Sequence, residues 1–255
     1  MKIRIGAALL SVALVSGMTL GGCANLSGFH DRFRDPYEHV NRKIYHFNDT
    51  LDRYLLRPVA RGYVRVTPQP VRVSVANFFS NLADINVFLN DYLQGRWKQG
   101  ASDTGRFLTN STLGIGGLFD VATQIGMPAH EEDLGVTLAG WGMETDNYLV
   151  LPLFGPSSTR AVWGLGMGLV TNPVFYAPLL VSFPLTSLNV ISQRAQALAA
   201  TNVLAVGAID PYTFVRQAYH QRRLYLIYQG NPPQPRFRPG AEDRVPPPPL
   251  PGRDR

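Results

Sequence analysis

A single cysteine gives this chain its clearest chemical signal. Residues 20–23 read Leu-Gly-Gly-Cys, after a basic start and an apolar run from Ile5 to Leu14. This pattern is typical of a signal peptide whose small-residue cleavage site ends in a cysteine. The sequence therefore predicts a bacterial lipoprotein that is cleaved before Cys23, with a covalent diacylglycerol on the thiol and an N-acyl chain on the amine. The alternative is an ordinary secretory signal with a chance cysteine.

The other reactive residue types form no recognisable catalytic pattern. The sequence has no G-x-S-x-G elbow and no P-loop, and Phe119 stands where a dinucleotide fingerprint after Gly114 and Gly116 needs its third glycine. His130-Glu-Glu-Asp has metal-ligand types, but a single histidine in a charged loop is usually solvated. We predict no enzyme activity, no metal and no cofactor beyond the acyl chains. A lipid hydrolase would need a nucleophile that the sequence does not show.

Composition points to a surface that does not all face water. Charged residues make up 16% of the 255 residues and hydrophobic residues 45%, whereas soluble domains carry about a quarter charged residues. The net charge of +6 is modest and spread out, which argues against nucleic-acid binding. The most apolar stretch, Val162–Val181, contains two prolines and would leave backbone groups unpaired as a spanning helix. We therefore predict a helical protein embedded in one leaflet, with Val162–Val181 facing lipid.

Two long amphipathic helices are predicted early in the mature chain. Asp35 and Glu38 have the spacing of a capping box, so the first helix is predicted over 36–55, and Arg57-Pro58 ends or kinks it. A second helix is predicted over 71–93 after a Pro-Gln-Pro break. Apolar residues of the first helix recur at spacings of three and four: Tyr37, Val40, Ile44, Phe47, Leu51 and Tyr54.

Shorter helices and one irregular segment are predicted in the rest of the chain. Residues 126–160, rich in glycine and proline, are predicted as loop, with room for a brief hairpin between Thr137–Trp141 and Tyr148–Leu151. The helices are predicted over 97–113, 118–125, 160–169, 173–181, 184–200 and 210–228. The predicted organisation is a signal peptide (1–22), a lipidated tether (23–34), a helical domain (35–229) and a proline-rich, disordered tail (230–255).

A series of short motifs runs in order through residues 35–226. It starts with Asp35-Pro36-Tyr-Glu38-His-Val-Asn41-Arg42 and continues with Arg57-Pro58-Val59-Ala60. Its longest member is Asn110-Ser-Thr-Leu113-Gly114-Ile-Gly116-Gly117-Leu-Phe-Asp120-Val121-Ala122. Leu151-Pro152-Leu-Phe-Gly155-Pro156 and Asp210-Pro211-Tyr212 follow. As an ordered set, these motifs resemble the MlaA (VacJ) family of outer-membrane lipoproteins.

Two positions depart from the pattern of that family. Asp146-Asn147-Tyr148 stands where the family usually has a glycine-proline step before the tyrosine. Arg160-Ala161 stands where the family usually has Arg-Asp, which removes an expected ion-pair or cap contact.

The resemblance implies an all-α, ring-like arrangement of amphipathic and short apolar helices at the periplasmic face of the outer membrane, embedded in one leaflet. A central amphipathic channel would take mislocalised phospholipids from the outer leaflet to a periplasmic MlaC-type carrier and so maintain lipid asymmetry. A trimeric outer-membrane porin would be a further partner. The alternative is a structural outer-membrane lipoprotein that scaffolds a porin without lipid flux.

Seven residues of this chain are candidates for the channel or its gate. Asn41 and Arg42 lie off the apolar stripe, and they either shape the channel or make polar contacts to solvent or between helices. Gly114, Gly116 and Gly117 either form a tight turn at the channel rim or allow close backbone packing. Gly140 and Gly142 belong to the 126–160 segment, which is either a mobile gate or an irregular surface loop.

Overall fold

The computed structural model describes residues 35–143, 146–201 and 209–232, and these residues are mostly helical. Cys23, the predicted signal peptide, the tether and nearly all of the proline-rich tail lie outside the described residues. Cleavage, acylation and the domain limits therefore stay predictions.

Helices follow one another closely along the chain, with one short antiparallel hairpin between them. The elements before this hairpin are α1 (Glu38–Leu51), a π-helical segment (Asp52–Leu56), α2 (Arg57–Val66), α3 (Gln69–Leu93), α4 (Trp97–Thr112), α5 (Val121–Gln124) and α6 (Leu134–Gly140). The hairpin and the elements after it are β1 (Tyr148–Leu151), β2 (Gly155–Ser158), α7 (Thr159–Thr171), a 3₁₀ turn (Pro173–Tyr176), α8 (Leu179–Gln196) and α9 (Pro211–Ile227).

The predicted capping box at the start of α1 is wrong. The Asp35 carboxylate accepts hydrogen bonds from Asn41 Nδ2 at 2.7 Å and from the Tyr212 hydroxyl, not from the backbone of the first turn. Glu38 instead accepts from Arg42 Nε at 2.8 Å. Both carboxylates thus bind side-chain donors, and hydrogen bonds from a charged donor such as Arg42 are the stronger ones.

The helical path continues through Arg57-Pro58. Residues 52–56 widen into a π-helical segment in which the Arg57 N–H donates to the carbonyl of Asp52, and Pro58 follows in the first turn of α2. A proline has no N–H and disrupts the regular α-helical bonding to the preceding turn. The wider turn lets the backbone pass this position, so the predicted break is a local change of helix type.

The segment 126–160 is more regular than its glycine and proline content suggests. Residues 134–140, partly assigned to a hairpin from the sequence, form α6, because Asp133 caps this helix by accepting the Val136 N–H at 2.9 Å. The predicted strand Tyr148–Leu151 is confirmed, but its antiparallel partner is β2. The turn between the strands uses left-handed backbone at Leu153 (φ 69°) and Gly155 (φ 79°).

The prolines after α7 divide the chain differently from the prediction. Pro173 starts a 3₁₀ turn that ends at Tyr176, and α8 begins directly after Pro178 and passes through Pro184 to Gln196. The predicted helix over 173–181 is therefore wrong, and the predicted start at 184 is five residues late. Proline is well tolerated at the beginning of a helix, which explains why Pro178 marks the start.

Helices α3 and α4 form an antiparallel pair joined by a tight turn at Gly95 (φ 73°). Asn81 near the middle of α3 donates to Ser111 at 2.9 Å, and Tyr92 at its end hydrogen-bonds Thr104 at 3.0 Å. The buried residues of α3 are mostly polar: Asn81, Asp84, Val87, Asn90 and Asp91. Those of α4 are Gly100, Asp103, Arg106 and Asn110.

A small aromatic core lies where α1, β1 and α9 meet. Tyr148 and Tyr212 are almost fully buried, and their ring centroids are 6.1 Å apart in an edge-to-face arrangement. Tyr45 from α1 and Tyr219 from α9 pack against them at 5.8 Å and 5.7 Å. Such ring pairs add stability beyond the area they bury.

Candidate lipid-facing surface and its buried polar network

Helix α1 leaves most of its apolar stripe exposed, although Ile44 packs against the aromatic core. The predicted stripe residues Val40, Phe47 and Tyr54, which follows at the π-helical segment, are 52%, 54% and 78% exposed, whereas Asn41 is 2% exposed. A helix of a water-soluble domain buries its apolar side instead. One polar side chain of α1, Asn41, is thus buried against the rest of the protein, and most of the apolar stripe is left for another environment.

The segment predicted to face lipid is also strongly exposed. Leu179 and Leu180 at the start of α8 are 77% and 90% exposed, and Tyr176 and Phe175 before them are 71% and 58% exposed. Contiguous apolar surface of this kind marks an interaction with lipid or with another protein. None of the helices in the described ranges combines the length and the apolarity needed to cross a bilayer.

Asn41 connects α1 to the edge of β1. Its side-chain Nδ2 donates to the Tyr148 carbonyl at 3.1 Å, and its Oδ1 accepts the Val150 N–H at 2.9 Å. Asn48, two turns further along α1, repeats the arrangement with the Leu151 carbonyl and the Leu153 N–H, both at 2.9 Å. The two amides satisfy a strand edge much as a neighbouring strand would. Asn41 thus makes a buried contact between a helix and a strand, and a role in the channel stays a prediction.

Arg42 joins α1 to the start of α9. Its guanidinium pairs with Asp210 Oδ2 at 2.8 Å, contacts Glu38, and lies 4.4 Å from the centroid of the Tyr212 ring. The hydrogen bonds from Arg42 and Thr213 hold the pKa of the Asp210 carboxyl well below its usual range. Asp210 also caps α9 by accepting the Tyr212 N–H, which confirms the predicted cap.

The three predicted glycines form a tight turn after α4. The Gly117 N–H donates to the Asn110 carbonyl at 2.8 Å, and the Gly116 N–H donates to Ser111. Gly116 and Gly117 have left-handed backbone (φ 68° and 87°), and a Cβ at Gly117 would lie 2.5 Å from Asn81 Cβ. A Cβ at Gly114 would collide with backbone carbonyls. Close packing against α3 and α4 thus requires Gly114 and Gly117.

Gly140 and Gly142 lie at the end of α6. Gly140 is its last residue, and Gly142 has left-handed backbone (φ 99°), with its N–H donated to the Ala139 carbonyl at 3.0 Å. A glycine in this conformation just after a helix is a common helix stop. The described contacts therefore give Gly142 a structural role, and a role of either glycine in gating stays a prediction.

Arg106 is the centre of a buried polar network that links α4 to α3 and α5. It is 3% exposed, and it pairs with Asp84 at 3.2 Å and with Asp120 at 3.0 Å. It also donates to Thr123 at 2.7 Å and to the Met127 carbonyl. Burial raises the pKa of Asp84 to about 6. For Asp120 the hydrogen bonds from Arg106 and Thr123 outweigh burial and lower the pKa to about 2.

A second group of acids lies at the other end of the α3–α4 pair. Asp91 and Asp103 are almost fully buried, and burial together with a hydrogen bond to Asp103 raises the pKa of Asp91. Asp103 contacts His130 Nδ1 at 3.0 Å, and Arg96 pairs with both Asp91 and Glu132. These contacts fasten the 128–133 segment to the helix pair.

Sequence reasoning missed these two groups. It predicted an amphipathic helix over 71–93 without assigning its buried side, and the structure buries Asn81, Asp84 and Asp91. Their spacings of three and seven place them on one helix face, as does the spacing of three between Asp103 and Arg106. Polar residues at helical spacing in an otherwise apolar segment were the available signal.

The charged groups of the two buried networks are paired with one another. The acids of the two networks are matched by arginines and by histidine, and in the described parts of the chain no group of three or more His, Cys, Asp or Glu side chains is placed to hold a metal ion. Buried polar networks of this kind fix the helices relative to one another. With polar residues in the interior, apolar side chains of α1 and α8 lie on the surface.

Together these features define a mostly helical protein with a polar interior and an apolar exterior. The family model described as MlaA lipoprotein matches residues 33–226, and the chain belongs to that family.

Individual relatives agree with this assignment. The chain is 34% identical over 252 residues to the intermembrane phospholipid transport system lipoprotein MlaA of Escherichia coli (strain K12), with 95% of each chain covered. The protein of that name from Haemophilus influenzae is 28% identical over 225 residues, which covers 86% of this chain and 90% of that one. A chain solved in work described as "Structural basis for maintenance of bacterial outer membrane lipid asymmetry" matches with a TM-score of 0.68 and 33% identity, over 76% of this chain and 99% of that one.

Proposed function

We propose that this chain is the lipoprotein of an intermembrane phospholipid transport system. In this proposal it removes mislocalised phospholipids from the outer leaflet of the outer membrane and so maintains lipid asymmetry. The observation that carries the proposal is the inverted polarity of the helices, with Asn41 and Asp84 buried while Phe47 and Leu180 are exposed. The names of the related proteins support the same substrate class.

The transport step needs no covalent chemistry. A phospholipid carries a charged headgroup that is costly to move through hydrocarbon, whereas its acyl chains need an apolar surrounding. A protein lodged in one leaflet, with helices in a ring around an amphipathic channel, meets both requirements. We therefore assign the chain a non-enzymatic role.

The partners follow from the route of the lipid. Acyl chains on Cys23 anchor the protein at the periplasmic face of the outer membrane. A periplasmic MlaC-type carrier receives the lipid, and a trimeric porin holds the protein in place. Support for these partners comes from family membership alone.

The first experiment measures outer-leaflet phospholipid in cells that lack the gene. The cells are complemented with the wild type or with Cys23→Ala. Accumulation that only the wild type reverses supports transport by an anchored protein. An unchanged outer leaflet in the deletion strain contradicts transport and favours the porin scaffold.

The exposed start of α8 offers a second test in the same strain. Leu180→Glu places a charge on a side chain that is 90% exposed, and an acidic charge at the centre of a membrane helix costs roughly 2.5–3.5 kcal/mol. We expect this variant to lose complementation. Gln193→Glu adds the same charge to an exposed polar position of α8 and is expected to retain it. Equal complementation by both variants would contradict a lipid-facing α8.

A further inference from the structure

One stretch of the chain carries arginines without any acidic residue. Between Asp52 and Asp84 there are five arginines and neither aspartate nor glutamate: Arg53, Arg57, Arg61, Arg65 and Arg72. Two of them are paired with acids from before this stretch, Arg53 with Asp49 at 2.6 Å and Arg57 with Asp52 at 3.3 Å.

Of the other three, Arg72 lies in α3 and is partly buried, and Arg61 and Arg65 form an exposed pair on α2. Both side chains are exposed, and neither makes an ion pair within the described part of the chain. They are four residues apart and hence neighbours on one helix face, where like charges repel. Two adjacent cations without an acidic neighbour favour an anion supplied from outside the fold.

Valines lie at the other edge of the same exposed side of α2, about 130° around the helix axis from the arginines. Val59 and Val66 are 42% and 78% exposed and are separated by two helical turns, so they share a face. The opposite side of α2 is occupied, because Ala60 is fully buried and the helix packs against α8. Cations next to exposed apolar residues are typical of a helix lying at the boundary between headgroups and acyl chains.

We propose that this face of α2, formed by Arg61, Arg65, Val59 and Val66, binds the headgroup of an anionic phospholipid. The guanidinium groups bind the phosphate, for which their planar donors are well suited, and the valines contact the upper acyl chains. The exposed valines favour a lipid over an acidic protein surface. The inference rests on the proposed function and adds to it a preference for lipids of net negative charge.

The test uses the acylated mature protein in a neutral detergent. It is titrated with phosphatidylglycerol or with phosphatidylcholine of the same acyl chains, and native mass spectrometry counts the bound lipid. For the wild type we expect a preference for phosphatidylglycerol of roughly thirtyfold, from about 1 kcal/mol for each of the two arginines near an anionic lipid. Arg61→Gln/Arg65→Gln is expected to abolish the preference, and Arg61→Lys/Arg65→Lys to keep part of it.

The matched control removes two positive charges elsewhere. Arg53→Gln/Arg222→Gln changes two arginines that are each 61% exposed and paired with acids, and it is expected to leave the preference intact. Glycerol phosphate is expected not to displace the lipid, because it cannot contact the valines. Displacement by glycerol phosphate, equal losses in both double variants, or a wild type without preference would overturn the inference.

The result of this lipid-binding test can be distinguished from the result of the complementation test of the proposed function. Rescue of lipid asymmetry by Arg61→Gln/Arg65→Gln, together with a lost preference, supports both proposals. A chain that moves no phospholipid in cells yet loses its preference in this variant supports the binding face and contradicts transport.

Discussion

Asp146 and Arg160 form a buried ion pair between the two motifs in which this chain departs from the family pattern. Arg160 Nη2 lies 2.9 Å from Asp146 Oδ2, and both side chains are at most 5% exposed. Asp146 Oδ1 also accepts the Arg160 backbone N–H at 3.1 Å, in the first turn of α7. The contact expected to be lost with Arg160-Ala161 is therefore supplied from Asp146.

Removing one member of this pair leaves the other charge buried. Asp146→Ala is expected to lower the free energy of unfolding by roughly 3–5 kcal/mol, measured by denaturant titration in detergent. Asp146→Ala/Arg160→Met removes both charges and is expected to be less destabilised than Asp146→Ala alone. If the double variant is the less stable of the two, the ion pair is not the source of the effect.

Asn41 is predicted to be a stabilising contact. Asn41→Leu loses the bonds to Tyr148 and Val150 and leaves two backbone groups of β1 unpaired, so we expect a loss of roughly 2–4 kcal/mol. Denaturant unfolding measures this loss. The control is His39→Ala, which changes an exposed side chain of α1. A loss of the same size in the control would show that α1 tolerates no change.

The effect of a glycine-to-alanine change on the melting temperature is predicted to depend on which glycine is replaced. Gly117→Ala combines left-handed backbone with a collision against Asn81, so we expect a clear fall in melting temperature. Gly166→Ala in α7 meets nothing within 4 Å and is expected to be neutral or stabilising, since alanine favours a helix. Thermal unfolding in detergent compares the two, and an equal response would argue against packing at Gly117.

The buried acids predict a pH dependence. The pKa of Asp91 is higher in the folded state than the ordinary aspartate value of about 3.9. The native state thus binds its proton more tightly than the unfolded state, and stability falls as pH rises from about 4 towards the raised pKa. Burial raises the pKa of Asp84 to about 6, so this group also lowers stability as the pH rises from about 4 to about 6.

The expected result is a higher melting temperature at pH 5 than at pH 8. Asp91→Asn removes one titrating group and is expected to reduce this difference. Glu131→Gln changes a carboxylate that is 60% exposed and serves as the control. A difference between the two pH values that Asp91→Asn leaves unchanged would assign the pH dependence to other groups.

The elements themselves were largely predictable from local sequence. The bounds of α4 and the cap at Asp210 followed from helical spacing and capping residues, which act within one or two turns. The π-helical passage at Pro58 and the partner of β1 were not predictable in this way. They depend on Asp52 and Gly155, whose roles appear only once the backbone path is set.

The sequence by itself determined the helical class, the family and the apolar stripes of the helices. Only the tertiary structure decided which way each stripe points. Most of the α1 stripe is exposed because Asn41 and Asn48 bind β1. Among the buried acids of α3, Asp84 is paired with Arg106 from α4. Asp91 is paired with Arg96. Helical periodicity shows that one face of a helix is apolar and the other polar, but it does not show which face is buried. The burying partner of Asn41 is more than a hundred residues away in the chain. The partner of Asp84 comes from another helix.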